Sequence, residues 1–205
     1  MMHPVRQGIV LRVHAPYQHK VSVFDQIQGK IYAVAQSHSV ALMHGELIAY
    51  RLEPWKHMYR LCDIEVLTLP AAWVCEDILF LHHVLEIAFF FIPEQSCATQ
   101  LFRLCQFLYE KSEQQHVDPT LVKRLFLGKF FALLGVYPDQ AFEENEQLFH
   151  LFSGSGETLP DGVHNKIQST DELYKKLQRW LLGCIQTHPH ANTFTTMHFL
   201  HAHSE

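Results

Sequence analysis

The stretch GIVLRVHAPYQHKVSVFDQIQGKIYAVAQ, residues 8–36, decides the fold. Its segments 8–14, 19–25 and 30–36 are rich in β-branched and apolar side chains, and Val21 and Val23 alternate with their neighbours as in a strand. The connection QIQG is a short hairpin turn in which Gly29 supplies a positive φ. The stretch therefore predicts three consecutive strands.

Two more strand patterns follow, ELIAYRLE (46–53) and MYRLCDIEVLTL (58–69). Five short strands in about seventy residues, separated by brief turns, are what a small closed barrel of the OB type requires. A five-stranded SH3-like barrel or a meander has the same signature, so periodicity alone leaves these alternatives open.

Beyond Pro70 the pattern changes to a helical period. Helices are predicted over 72–92, 96–111, 118–134, 139–151 and 170–186, with Gly135 just beyond the third of them as its C′ residue. The fold class is therefore α+β with two domains: a five-stranded OB-fold barrel over 1–70, and an all-α helical domain over 71–205 that ends in a short His-rich tail.

The charge is unevenly distributed along the chain. The formal net charge is −5, yet residues 1–70 carry seven Lys/Arg against five Asp/Glu, and the other 135 residues carry nine against sixteen. The basic excess therefore lies in the barrel, where phosphate neutralisation would be expected.

Other features argue against several classes of protein. The five cysteines form no CxxC pair and the N-terminus lacks an apolar core, so we expect a cytoplasmic protein without a disulfide framework. The apolar segment 71–92 contains five charged or His residues, which predicts a buried helix and no membrane span. No nucleophile elbow, phosphate-binding loop or HExxH motif is present, so we expect neither an enzyme nor a cofactor.

The order of these pieces resembles the RecO family of bacterial DNA repair and recombination mediators. The opening stretch is similar to the family's first three strands, with Gly29-Lys30 on its hairpin Gly-Lys. LVKRLFLGKFFALLGVYPD (121–139) looks like the family's "LLallGyaP" segment, and TMHFL (196–200) like its closing "S-x-x-FL". The family's four-cysteine zinc site is absent, because no cysteine lies between Cys105 and Cys184.

The resemblance implies an OB-fold protein of DNA damage repair that binds single-stranded DNA, promotes strand annealing and docks on RecR and on single-stranded-DNA-binding protein. Single-strand binding requires cations for phosphates and aromatics for bases. The densest group of such residues is PWKHMYR (54–60). The candidates across the barrel are Lys20, Lys30, Tyr32, Arg51, Trp55, Lys56, Tyr59 and Arg60. The alternative for Trp55 and Tyr59 is that they simply cap the barrel against the helical domain.

RecO proteins bind the acidic, Phe-ending C-terminal tail of single-stranded-DNA-binding protein, which needs cations beside an apolar slot. The residues with that chemistry lie on the helix after Asp118: Lys123, Arg124, Phe126, Lys129 and Phe130. Core phenylalanines with a solvated basic edge are the alternative, favoured by composition.

Two other functions are consistent with the sequence. The same fold, with its DNA contacts eroded, would be a protein-interaction module; the acidic helical part and the cation-poor stretch QSHSVALMHG after the third strand favour it. A metal-dependent enzyme that uses His82 and Glu86, four apart on one helix, is the weakest alternative.

Overall fold

A computed structural model describes residues 4–16, 19–36, 41–71, 77–109, 119–138, 152 and 171–194. The contacts divide the chain into two compact units, Met1–Lys111 and Ser112–Glu205. The helix predicted over 139–151 and most of the C-terminal tail lie outside the described residues.

The first unit is built on five strands that close into a barrel: β1 (Val5–Val13), β2 (Lys20–Asp25), β3 (Gly29–Ala35), β4 (Leu47–Trp55) and β5 (Met58–Thr68). Their order around the barrel is β1-β2-β3-β5-β4, and β4 returns to pair with β1. The β3–β5 pair is parallel and the other pairs are antiparallel. The predicted five-stranded barrel is thus confirmed, and its topology is OB-like.

The barrel interior is filled by the apolar side of each strand. Its buried core consists of Val10, Val21, Val23, Ile31, Ala33, Ala35, Leu42, Ile48, Tyr50, Leu52 and Leu61. One end of the interior holds a polar group, in which the Tyr50 hydroxyl donates to Asp25. Gly8 leaves room for this hydrogen bond, since a Cβ at its position would lie 2.9 Å from the Tyr50 hydroxyl oxygen.

Two helices belong to the same unit, α1 (Ile78–Phe91) and α2 (Thr99–Gln106), the latter followed by a 3₁₀ turn at Phe107–Tyr109. The Asp77 carboxylate caps α1 by accepting a hydrogen bond from the Phe80 backbone N–H at 2.9 Å. The helix packs against β1, and the Phe102 ring of α2 meets the Phe24 ring of β2 edge-on, with centroids 5.4 Å apart. These contacts group both helices with the barrel, whereas the sequence places the boundary near Pro70.

The second unit contains α3 (Pro119–Leu134) and α4 (Asp171–Gln186), which contact each other. Gly135 follows α3 with φ +69°, the left-handed C′ conformation predicted for it. The Phe152 ring stacks on Trp180 of α4 at a centroid distance of 5.7 Å. The same ring fills the space left by Gly128, whose Cβ would lie 2.2 Å from it. Helices therefore follow the barrel, as the sequence predicts.

Candidate nucleic-acid interface

The strand register places a row of cations on the outside of the barrel. Lys20 of β2 pairs with Val34 of β3, and Val34 pairs with Arg60 of β5. Their chain neighbours Val21, Ala33 and Leu61 point into the core. Because side chains alternate along a strand and paired positions share a face, Lys20 and Arg60 project from one outer face.

A second outer row runs beside the first. Arg12 of β1 pairs with Ser22 of β2, and Ser22 pairs with Tyr32 of β3. Arg12 is exposed and Tyr32 half-buried. We call this surface the outer cationic face; it comprises Arg12, Lys20, Tyr32, Trp55, Lys56 and Arg60.

The β4–β5 hairpin contributes an aromatic ring flanked by two cations. The Lys56 Nζ lies 5.0 Å and the Arg60 Cζ 5.2 Å from the centroid of the Trp55 ring. Lys56 occupies the tight turn with φ +53° and is exposed, while Trp55 is half-buried. Cations held against a ring are the arrangement in which a base stacks while its phosphate is neutralised. The structure thus brings together three of the residues predicted from PWKHMYR.

Tyr32 lies in a second aromatic group. Its ring centroid is 6.0 Å from that of His14, and the Arg12 guanidinium lies 5.1 Å from the Phe89 centroid. His14 Nε2 and the Ser22 hydroxyl are 2.8 Å apart. Burial, followed by the charges of Arg12, Lys20 and His44, lowers the pKa of His14. These groups form a polar, aromatic surface in which the charges that act on Tyr32 come from Glu94 and Arg12.

Lys30 has a different environment from the other predicted cations. It is 8% exposed, and its Nζ donates a 2.7 Å hydrogen bond to the Phe89 carbonyl in the last turn of α1. The ammonium also lies 5.3 Å from the Phe89 ring centroid. Burial lowers the pKa of Lys30, and Glu94 partly offsets the shift. This ammonium caps a helix C-terminus, so the outer cationic face does not include it.

Arg51 and Tyr59 are also placed apart from the outer cationic face. Arg51 pairs in register with Val5, at the opposite end of β1 from Arg12, and forms an ion pair with Asp63. Tyr59 is paired with Ala33 and packs, partly buried, against the barrel core. Tyr59 therefore contributes to the packing of the barrel, and its part in DNA binding stays a prediction.

The residues predicted to bind a partner's tail are mostly inside the second unit. Phe126 and Phe130 are 1% and 0% exposed, and Arg124 and Lys129 are 4% exposed. Lys129 Nζ donates to the Phe152 carbonyl at 2.7 Å, and burial lowers its pKa. Lys123 alone of this set is half-buried. The phenylalanines are core residues, as the alternative has it, but Arg124 and Lys129 are buried and do not form a solvated edge. Tail binding at this helix stays a prediction.

The sequence does not predict Arg12 as a DNA-binding residue. Strict alternation along β1 would place Arg12 on the same side as Val10, in the core. The register shifts between Val10 and Arg12, which pair with Val23 and Ser22, respectively. This β-bulge reverses the side on which Arg12 emerges. No single-residue signal marks the bulge in the sequence.

Within the described ranges, no group of three His, Cys, Asp or Glu side chains is arranged to hold a metal ion. Among the helices described here, none combines the length and the apolar character needed to cross a bilayer.

Comparison with known proteins adds no family to this description: no family model matches the chain, and no curated protein matches it.

Proposed function

We propose that the chain binds single-stranded nucleic acid on the outer cationic face and acts as a RecO-like recombination mediator. In that role it binds single-stranded DNA, promotes annealing of complementary strands, and docks on RecR and on single-stranded-DNA-binding protein. Binding energy drives these steps without nucleotide hydrolysis. The mediator role and its partners rest on the resemblance of the sequence to RecO.

The observation that carries the proposal is the close approach of both Lys56 and Arg60 to the Trp55 ring. Stacking of a base on an aromatic side chain contributes about 1–3 kcal/mol, and any base supplies the required π-face. The adjacent rows add Lys20, Arg12 and Tyr32 to the same surface. Rings and cations on one barrel face are the elements with which OB folds hold single strands.

The competing proposal is a protein-interaction module of the same fold without DNA binding. Lys30 is used within the fold, and Asp63 offsets the charge of the partly exposed Arg51, so two predicted cations are less available to phosphates. Glu53 pairs with Arg60 across the hairpin and places a carboxylate near the cations. These features weaken the electrostatic attraction on which single-strand binding depends.

Fluorescence anisotropy of a labelled single-stranded oligonucleotide, titrated with tag-free full-length chain at low and at moderate salt, tests the proposal. We expect binding that weakens as salt rises, faster annealing of complementary oligonucleotides, and a loss of affinity of about tenfold or more in Trp55→Ala. Trp55→Phe, which keeps a ring, should retain most of the affinity. Absence of binding at low salt would favour the interaction module.

A further inference from the structure

The backbone at Glu94 is fixed to strand β3 on this side of the barrel. Glu94 forms an isolated parallel bridge with Lys30, and the Gln95 N–H donates to the Lys30 carbonyl at 3.1 Å. The Glu94 side chain is exposed, and the Tyr32 hydroxyl is hydrogen-bonded to its carboxylate. Burial, and then the Glu94 charge, raise the pKa of Tyr32, so this phenol stays protonated and donates.

Along β3, Tyr32 lies between the position bridged to Glu94, which is the internally bonded Lys30, and the position paired with Lys20 and Arg60. The outward positions of β3 are Lys30, Tyr32 and Val34 in succession. Glu94 is bridged to the first of these, whereas Lys20 and Arg60 are paired with the last. For a nucleotide whose base stacks on Tyr32, Coulomb attraction favours phosphates toward Lys20 and Arg60 and away from the Glu94 carboxylate. The edge of its base then points toward Glu94.

We propose that Glu94 is a specificity residue that reads the base stacked on Tyr32 and favours bases with an exocyclic amino group over thymine and uracil. This inference rests on the proposed single-strand binding. An ionised carboxylate only accepts hydrogen bonds. The N4 amino group of cytosine, the N6 amino group of adenine and the N1–H and N2 amino groups of guanine donate to it. Thymine and uracil offer one N–H between two carbonyl oxygens, which the carboxylate repels.

The test compares labelled oligo(dC) and oligo(dT) of equal length at low salt and at pH 8, with the wild-type chain, Glu94→Gln and Glu53→Gln. We expect the wild type to bind oligo(dC) roughly tenfold more tightly than oligo(dT). In Glu94→Gln that ratio should fall close to one, chiefly because oligo(dT) binds better, since the amide also donates.

Glu53→Gln is the matched control, because it removes the same charge from the position paired with Arg60 and away from Tyr32. It should strengthen the binding of both oligonucleotides by a similar factor and leave their ratio unchanged. Equal binding of both by the wild type, or a ratio that persists in Glu94→Gln, would overturn the inference and leave the proposed function standing. Failure to bind either one would overturn the proposed function, and the inference with it.

Discussion

Gly29 holds the β2–β3 turn in a conformation that a side chain would disrupt. Its φ is +72°, in the left-handed region that favours glycine. A Cβ at this position would lie 2.0 Å from the Ser96 carbonyl oxygen, a backbone atom in the segment between α1 and α2. The residue therefore serves both the hairpin and the close approach of that segment to the barrel.

Gly29→Ala should lower the free energy of unfolding by about 3 kcal/mol, because backbone strain and the clash with Ser96 add together. Gly45→Ala is its control within the same unit. Gly45 has φ +82°, but a Cβ there would meet the Leu85 side chain at 3.4 Å, an ordinary contact distance. Its expected cost is about 1 kcal/mol. Urea denaturation followed by circular dichroism measures the free energy of unfolding of both variants. Equal losses in the two would show that the clash with Ser96 adds no cost.

Individual residues also show where prediction from sequence ends. Gly29 is recognisable from the hairpin pattern, and Trp55, Lys56 and Arg60 from their proximity in the chain. Lys30 and Lys56 look equivalent in the sequence, yet one is buried against α1 and the other is exposed at a hairpin turn. That difference depends on how a helix some sixty residues later packs on the barrel, and no local pattern encodes it.

At the scale of elements, apolar alternation is enough to place each of the five strands to within a few residues. What alternation does not locate is a bulge, and the one in β1 exposes Arg12. For α1 the apolar run predicts the helix and Pro93 its end, which the structure places at Phe91. The run is apolar on most sides, so the pattern does not say that His83 lies on the buried face.

The buried His83 makes the stability of the first unit depend on pH. Burial lowers its pKa to about 4, from 6.5 in the unfolded chain. Between these values the unfolded chain binds the proton and the folded one does not, so stability falls as pH drops below 6.5. The loss from this group should be about 2 kcal/mol between pH 7 and pH 5.

In His83→Leu that part of the pH dependence should disappear, because the side chain no longer titrates. His82→Gln alters the exposed neighbour on the same helix and should show the same pH dependence of stability as the wild type. The measurement is urea denaturation of the three proteins at pH 7 and pH 5. A His83→Leu protein that loses as much stability as the wild type over this interval would show that His83 is not the group responsible.

At the scale of the whole molecule, the charge distribution is more informative than the net charge. A chain with net charge −5 has its basic excess in the first seventy residues, and the barrel collects Arg12, Lys20, Lys56 and Arg60 on one outer face. The sequence predicts the barrel and the hairpin part of this face. It does not predict which cations the fold uses internally, because burial is decided by contacts distant in the chain.

The salt dependence of single-strand affinity in two matched variants tests the central claim most directly. The outer cationic face contains four cations, Arg12, Lys20, Lys56 and Arg60. If each neutralises one phosphate, the logarithm of the binding constant should fall with the logarithm of the salt concentration with a slope of about −3 in the wild type. The double variant Lys56→Gln/Arg60→Gln should flatten the slope by about 1.4, and Arg51→Gln should leave it unchanged. A slope insensitive to the double variant, or one flattened by Arg51→Gln, would contradict binding on the outer cationic face.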